Sequence, residues 1–249
     1  MDLKNLYQKG FLVGPLETEE VFLKRVSQVN ALLKDPRLLL TKISIPTNDF
    51  FIKVPSLICF RSSKQLPFWF GAMTWICQWD QNTQVPILQL SKKQKFKWLD
   101  EDDVITHELL HAKRAAFNEP QFEEILAYRT SKYAWRRNLG PLFQKQWESF
   151  FFLFSIILLV IAPLFSPEKT LILYFPALFF TLFTSFRLIK NQWIVSRALK
   201  HLRKTVSNPE IILEMLTDDE ITKFALKKEN EIDRTSLRWK QITLICDTY

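Results

Sequence analysis

The segment Asp100-Glu101-Asp102-Asp103-Val104-Ile105-Thr106-His107-Glu108-Leu109-Leu110-His111 sets two histidines four residues apart, with a glutamate beside the first. On a helix, positions i and i+4 share one face, so the two imidazoles stand close enough to hold one Zn²⁺. Glu108 then sits where a carboxylate can take a proton from metal-activated water. Only 3 histidines occur in the 249 residues, and two of them fall at this spacing. That scarcity favours the metal reading over the plainer one, two surface histidines on an amphipathic helix.

The flanks agree with a helix over 101–117. Asp100, Asp102 and Asp103 crowd its start, where carboxylates suit the positive end of the helix dipole. Ile105, Leu109, Ala112 and Ala116 recur as an apolar stripe, and His107, His111 and Arg114 lie on the other side, toward a cleft. Asn118-Glu119-Pro120 then turns the chain, with proline placed to open the next helix.

A catalytic zinc takes a third protein ligand and leaves a fourth position open. His201 is the remaining histidine, and two hydrophobic runs separate it from the pair, so a carboxylate is expected. The next helix carries Phe122-Glu123-Glu124-Ile125-Leu126-Ala127-Tyr128. Glu123 and Glu124 are rivals that periodicity does not separate. Phe122, Ile125 and Leu126 cluster nearly opposite Glu124, so this helix must be sandwiched for Glu124 to face the histidines. Glu124 is preferred because only it has a small residue, Ala127, three positions on.

Through His107, Glu108 and His111, followed by Glu124, Ala127 and Tyr128, residues 100–131 resemble the gluzincins, the thermolysin-like zinc metallopeptidases. The short interval from His111 to Glu124 is similar to that of the minimal gluzincins. The resemblance implies His107, His111 and Glu124 as metal ligands, Glu108 as general base, and a small sheet ahead of the zinc helix. An edge strand of that sheet would pair with an extended substrate. The family has aspartate where Tyr128 stands, orienting a zinc histidine; Tyr128, Asp102 or Asp103 are the substitutes at hand. Tyr128 and Arg114 are the nominees for an oxyanion donor. The zincin class with a third histidine six residues past the second is excluded, since Phe117 stands there and Arg114 replaces its glycine.

Two runs, 149–167 and 170–186, contain no charged residue. Each approaches the roughly 20 residues that cross a bilayer, and Glu168-Lys169 between them leaves room only for a tight turn. Pro163 and Pro176 interrupt the runs, which suits the soluble alternative of a buried helical pair, but the dense phenylalanine clusters favour lipid. Lys132, Arg136, Arg137 and Lys145 precede the hairpin, and Arg187, Lys190, Arg197, Lys200, Arg203 and Lys204 follow it. The positive-inside rule therefore puts both termini and the catalytic domain on the cytoplasmic side of the inner membrane. Trp147, Tyr174 and Trp193 are the interface anchors. The net charge of +8 finds a partner in an anionic leaflet, and no nucleic-acid motif accompanies it. Lys92, Lys93, Lys95 and Lys97, interleaved with Phe96 and Trp98, read equally as a headgroup contact or a solvated loop.

The rest is arranged around this unit. Thr18 caps a predicted helix through Lys34. Trp69–Trp79, Asp80-Gln81-Asn82 and Val85–Leu90 read as a hairpin, with Pro86 suited to an edge strand. Asn208-Pro209 and Thr217-Asp218-Asp219 mark helix starts in a charged tail, read either as a solvated appendage or as a regulatory or docking element. Cys59, Cys77 and Cys246 have no ligand spacing and read as reduced thiols; Met1–Leu16 lacks the apolar core of a secretory leader. The expected fold is α+β. A zincin-like domain over 1–146, with a small antiparallel sheet, zinc helix and glutamate helix, precedes a transmembrane helical hairpin over 147–190 and a helical tail over 191–249. The expected function is a Zn²⁺-dependent metallopeptidase acting on protein or peptide substrates near the membrane surface. The alternative is a non-catalytic membrane scaffold or sensor with a structural or vestigial zinc site.

Overall fold

The computed structural model describes residues 1–34, 50–54, 56–66, 71–79, 84–92, 100–165 and 170–246. The chain opens with α1 (Leu3–Gln8) and α2 (Glu19–Lys34). Thr18 Oγ1 accepts from the Val21 amide at the start of α2, which buries Phe22, Val26, Val29 and Leu32 at helical spacing. Four strands follow: β1 (Phe50–Val54), β2 (Leu57–Arg61), β3 (Ala72–Gln78) and β4 (Gln84–Leu90). The predicted turn at Asp80-Gln81-Asn82 and the lysines from Lys93 to Lys97 lie outside the described residues.

The strands form one sheet in the order β1-β2-β4-β3. β3 and β4 make the expected antiparallel hairpin, with Ala72 opposite Leu90 and Gln78 opposite Gln84. β2 and β4 run parallel, so the sheet is mixed and the expectation of an antiparallel one is corrected. That pairing is non-local, with the first arm of the hairpin lying between the two strands in sequence. Pro86 is corrected too, because β4 is an inner strand. Its missing donor is tolerated where it stands, since β2 pairs with β4 only from Ile87 onward. Among the described residues, the outer strand on the hairpin's side is β3.

Behind the sheet lies α3 (Glu101–Lys113). Asp100 caps it, accepting from the Asp102 amide, and Glu101, Asp102 and Asp103 fill its first turn. Ile105 and Ala112 pack on Leu57, Cys59, Leu88 and Leu90, while Leu110 points the other way into a helical core. Both sides of α3 are therefore covered, and His107 is buried with them. α4 (Pro120–Arg129) has Pro120 in its first turn and turns Phe122, Ile125 and Leu126 into that same core. The sandwich that Glu124 requires is thus present.

After α5 (Ala134–Leu139) and a 3₁₀ turn at Gly140–Leu142 come α6 (Gln146–Phe165) and α7 (Thr170–Leu202). The two pack together through contacts such as Phe151 on Phe180, and Arg187 pairs with the buried Glu148 at 2.7 Å across their base. Their connecting turn, 166–169, is outside the described residues. Among those described, no single helix is long and apolar enough to cross a bilayer; Ala134–Leu142 and Trp147–Ile161 reach that measure together, across a bend of 83°.

The segment past residue 190 is no appendage. α8 (Pro209–Met215) and α9 (Asp218–Leu226) start where Asn208-Pro209 and Thr217 predict, α9 with a full capping box between Thr217 and Glu220, and α10 (Leu237–Cys246) follows. They bury Leu213, Met215, Ile221, Trp239 and Ile242 in one core with Val195 and Leu199 of α7 and with Leu110, Phe122 and Ile125. Asp218 also caps α4, accepting from the Gln121 amide at 2.8 Å. The buried Gln241 closes the chain on itself: it accepts from the Val13 amide and donates to the carbonyls of Leu3 and Phe11.

Because this core is shared, Leu213→Ala is expected to cost about 2–5 kcal/mol, the range for truncating a buried leucine. Circular dichroism and hydrogen exchange on α3 and α4 should report a single transition displaced together. A tail that melted alone, with α3 and α4 unchanged, would contradict the shared core.

Candidate metal centre

His107 and His111, one turn apart on α3, face Glu123 and Glu124 at the start of α4. His107 Nε2 lies 3.6 Å from Glu124 Oε1, and His111 Nε2 lies 3.4 Å from Glu124 Oε2. The donor atoms of His107, His111 and Glu124 all fall within 4.8 Å of one another. Ligands bound tetrahedrally to Zn²⁺ at about 2.1 Å are about 3.4 Å apart, so this donor set fits the ion with little adjustment. The two rings meet at 72°, centroids 5.1 Å apart, turned toward a common point rather than stacked.

The rival glutamates have separate partners. Glu123 Oε1 sits 2.7 Å from His111 Nδ1, the nitrogen facing away from the cluster. A carboxylate in that position fixes which nitrogen carries the proton, leaves Nε2 free to ligate, and makes it more basic. Periodicity could not separate the pair because adjacent residues on α4 reach opposite sides of one imidazole.

Charge follows from this crowding. Burial pulls His111 down, but hydrogen bonds to Glu123 and Glu124 outweigh it and push its pKa up to about 10. Burial raises Glu124, yet His111 and His107 more than offset it and hold the carboxyl below its ordinary value. His107, buried more deeply, is held below the usual imidazole value by desolvation. Two carboxylates here demand a cation, which is either a proton on His111 or a metal.

Beside the cluster opens a cleft of about 580 Å³ lined by Met73, Thr74, Gln84, Glu108, His111 and Glu123, among others. Glu108 Oε2 accepts from Thr74 Oγ1 at 2.8 Å, so the outer strand positions the carboxylate next to the first histidine. Sequence reading does not single out Thr74: it lies in the predicted hairpin, but its place on the outer strand against the histidine helix follows only from the strand order.

The proposed substitutes for the family's aspartate fare differently. Asp103 is turned away, receiving hydrogen bonds from Ser131, the Lys132 amide and Arg136, and Asp102 is exposed. Tyr128 is adjacent, its ring edge-on to His107 at 4.4 Å, and burial pushes its hydroxyl up. Behind Tyr128, Gly140 leaves no room for a side chain, since a Cβ there would come within 2.3 Å of the ring. The Ala127 carbonyl lies near the His107 ring, yet Nδ1 is buried with no partner at hydrogen-bonding geometry. Arg114, nominated for an oxyanion, donates Nη1 to the Glu214 and Leu216 carbonyls and stacks on Phe117. It ties the end of α3 to the C-terminal helices. His201 pairs with Glu229 at 2.9 Å on α7, apart from the cluster. Comparison with protein-family models, curated proteins and solved structures finds no match to this chain.

Metal and proton should compete at His111. Between pH 7 and 9, below its pKa of about 10, Zn²⁺ must displace one proton, so affinity is expected to rise about tenfold per pH unit with one proton released per ion. Calorimetry in buffers of different ionisation enthalpy measures both. Glu123→Gln should weaken binding about 10–100-fold and flatten that slope. Proton-independent binding would refute the assignment of the cation to His111.

Proposed function

We propose that this chain is a membrane-anchored zinc metallopeptidase of the gluzincin type that cuts extended protein segments close to a bilayer surface. The observation that carries the reading is the convergence of two imidazoles on the Glu124 carboxylate, at 3.4 and 3.6 Å, beside a cleft whose wall holds Glu108. A Zn²⁺ ion held there supplies Lewis acidity, polarising the scissile carbonyl and making water acidic enough to react near neutral pH. Glu108 supplies the base. With Oε2 fixed by Thr74, its carboxylate takes a proton from the attacking water and hands it to the leaving amine. A structural or vestigial zinc site has no use for a base held this way, which weighs against the scaffold or sensor alternative.

Substrate positioning falls to β3. As the outer strand, with Met73 and Thr74 on the cleft wall, it offers main-chain groups to an extended segment and carries that segment past the histidines. Of the two nominated oxyanion donors, Arg114 lines the cleft and gives Nη1 to the Glu214 and Leu216 carbonyls, leaving Nε and Nη2 without a hydrogen-bond partner. Tyr128 stands against His107 and touches the site through that imidazole rather than from the cleft wall.

The membrane part of the proposal rests on α6 and α7. Phe154, Val160, Phe175, Phe179, Leu182, Phe186 and Ile189 are each at least 61% exposed. A soluble domain rarely leaves so continuous an apolar surface to water. The excess of Lys and Arg at the base of the pair orients both termini and the cleft toward the cytoplasm of an inner membrane.

If Glu108 is the base, Glu108→Gln should keep about one Zn²⁺ per chain while hydrolysis of a responsive peptide falls about 10²–10⁴-fold. Glu124→Gln should lose the metal itself. Equal cleavage by wild type and Glu108→Gln would end the assignment. Topology gives an independent check: reporters at Met1 and Tyr249 should both read cytoplasm, and a tag within 166–169 should be labelled from the opposite side. Termini on different sides would rule out a spanning hairpin while leaving the metal centre intact.

A further inference from the structure

One face of α7 changes character partway along its length. At helical spacing it presents Phe175, Phe179, Leu182, Phe186 and Ile189, then Trp193, then Arg197 and Lys200, with Lys204 in the turn just past its end, all exposed. Steps of three and four residues keep those from Phe175 to Lys200 on the same side of the helix. The apolar portion lies along the α6–α7 pair, and the cationic portion lies where α7 enters the core beside α9.

The cationic end is a cleft of about 490 Å³. Trp193, Arg197, Lys200 and His201 line it from α7, Lys204 from the turn after it, and Lys227 enters from the end of α9. Lys227 is left-handed, with φ of 60°, a conformation in which glycine or asparagine is the usual choice at a helix end. A lysine there adds a fourth permanent cation to the same cleft. The Arg197 guanidinium lies over the Trp193 ring at 5.0 Å, which holds it toward the cleft. Among the described residues no carboxylate lines this space, and the nearby Glu229 is engaged with His201 at 2.9 Å. Four like charges around one opening repel each other and call for a polyanion.

We propose that this cleft binds the phosphate headgroup of an anionic phospholipid, with the acyl chains lying along α7 from Ile189 back to Phe175. The proposal rests on the membrane reading given above. Charge alone would accept any phosphate; the apolar row running directly into the cations is what selects a lipid. The order along the helix, from apolar side chains through tryptophan to Lys and Arg, is the order of acyl chain, interface and headgroup in a leaflet. The four cations reach the headgroup through long side chains whose stems also cover apolar surface.

The test uses the full chain reconstituted into phosphatidylcholine vesicles carrying a trace of spin-labelled phosphatidylglycerol or spin-labelled phosphatidylcholine. A chain that fails to float with the vesicles overturns the membrane reading, and the lipid site with it. When the chain floats, the motionally restricted fraction should be severalfold larger for phosphatidylglycerol than for phosphatidylcholine. The triple substitution Arg197→Gln, Lys200→Gln, Lys204→Gln should bring the two fractions together. Lys227→Gly alone should reduce the preference by about half, and its φ suits glycine, so misfolding does not account for the loss. Unchanged zinc content in both variants verifies that the core persists. Equal restriction of the two lipids by wild type overturns the proposal. Complete release of the restricted lipid by millimolar glycerol phosphate also overturns it, because the cleft would then be a free-phosphate site.

Discussion

The arrangement turns on two adjacent carboxylates held against two imidazoles. Glu123 and Glu124 both approach His111, one at each ring nitrogen, and neither can be left there without a compensating positive charge. Most of the helical layer can be understood as the frame that keeps α4 in that position. Phe122, Ile125 and Leu126 lock its other face into the core, Asp218 caps its first turn, and Ala127 is fully buried, permitting close approach to α3. The frame is expensive in desolvation, and a compensating cation, a proton on His111 or the proposed divalent metal, offsets that cost.

Much of this was legible in the sequence because it is local. Histidines four apart, an aspartate before a helix, proline at a first turn and Thr-x-x-Glu at a cap all act within a few residues. What stayed hidden was non-local. The parallel pairing of β2 with β4 has no signature in either strand, and with it went the correct place of Pro86. The C-terminal helices have apolar faces of ordinary spacing, but nothing within them names α4 and α7 as what they cover. Glu123 and Glu124 are one residue apart, so their different duties emerged only with the geometry of the facing helix.

Arg114 illustrates how the distant parts are coupled. Almost fully buried at the end of the histidine helix, it reaches the Glu214 and Leu216 carbonyls, and Arg238 from α10 donates to the Met215 carbonyl between them. Any displacement of α8 would therefore pull on the helix that carries both histidines. The C-terminal segment is in mechanical contact with the histidine cluster, as a regulatory element would need to be.

Continuity of α7 sets a reach. The same 33-residue helix exposes apolar side chains at one end and is buried in the core at the other, and Asn191 touches the Gln121 carbonyl at the start of α4. At about 1.5 Å per residue, Trp193 and Leu202 are only about 14 Å apart along the axis, a distance an extended polypeptide covers in about four or five residues. On the proposed membrane reading, no break in α7 separates its apolar end from the core, so the cleft could not swing outward to meet a distant partner. Selection would then depend on where a scissile bond sits relative to the lipid surface as much as on the side chains around it, so that this protein would measure position before it reads sequence.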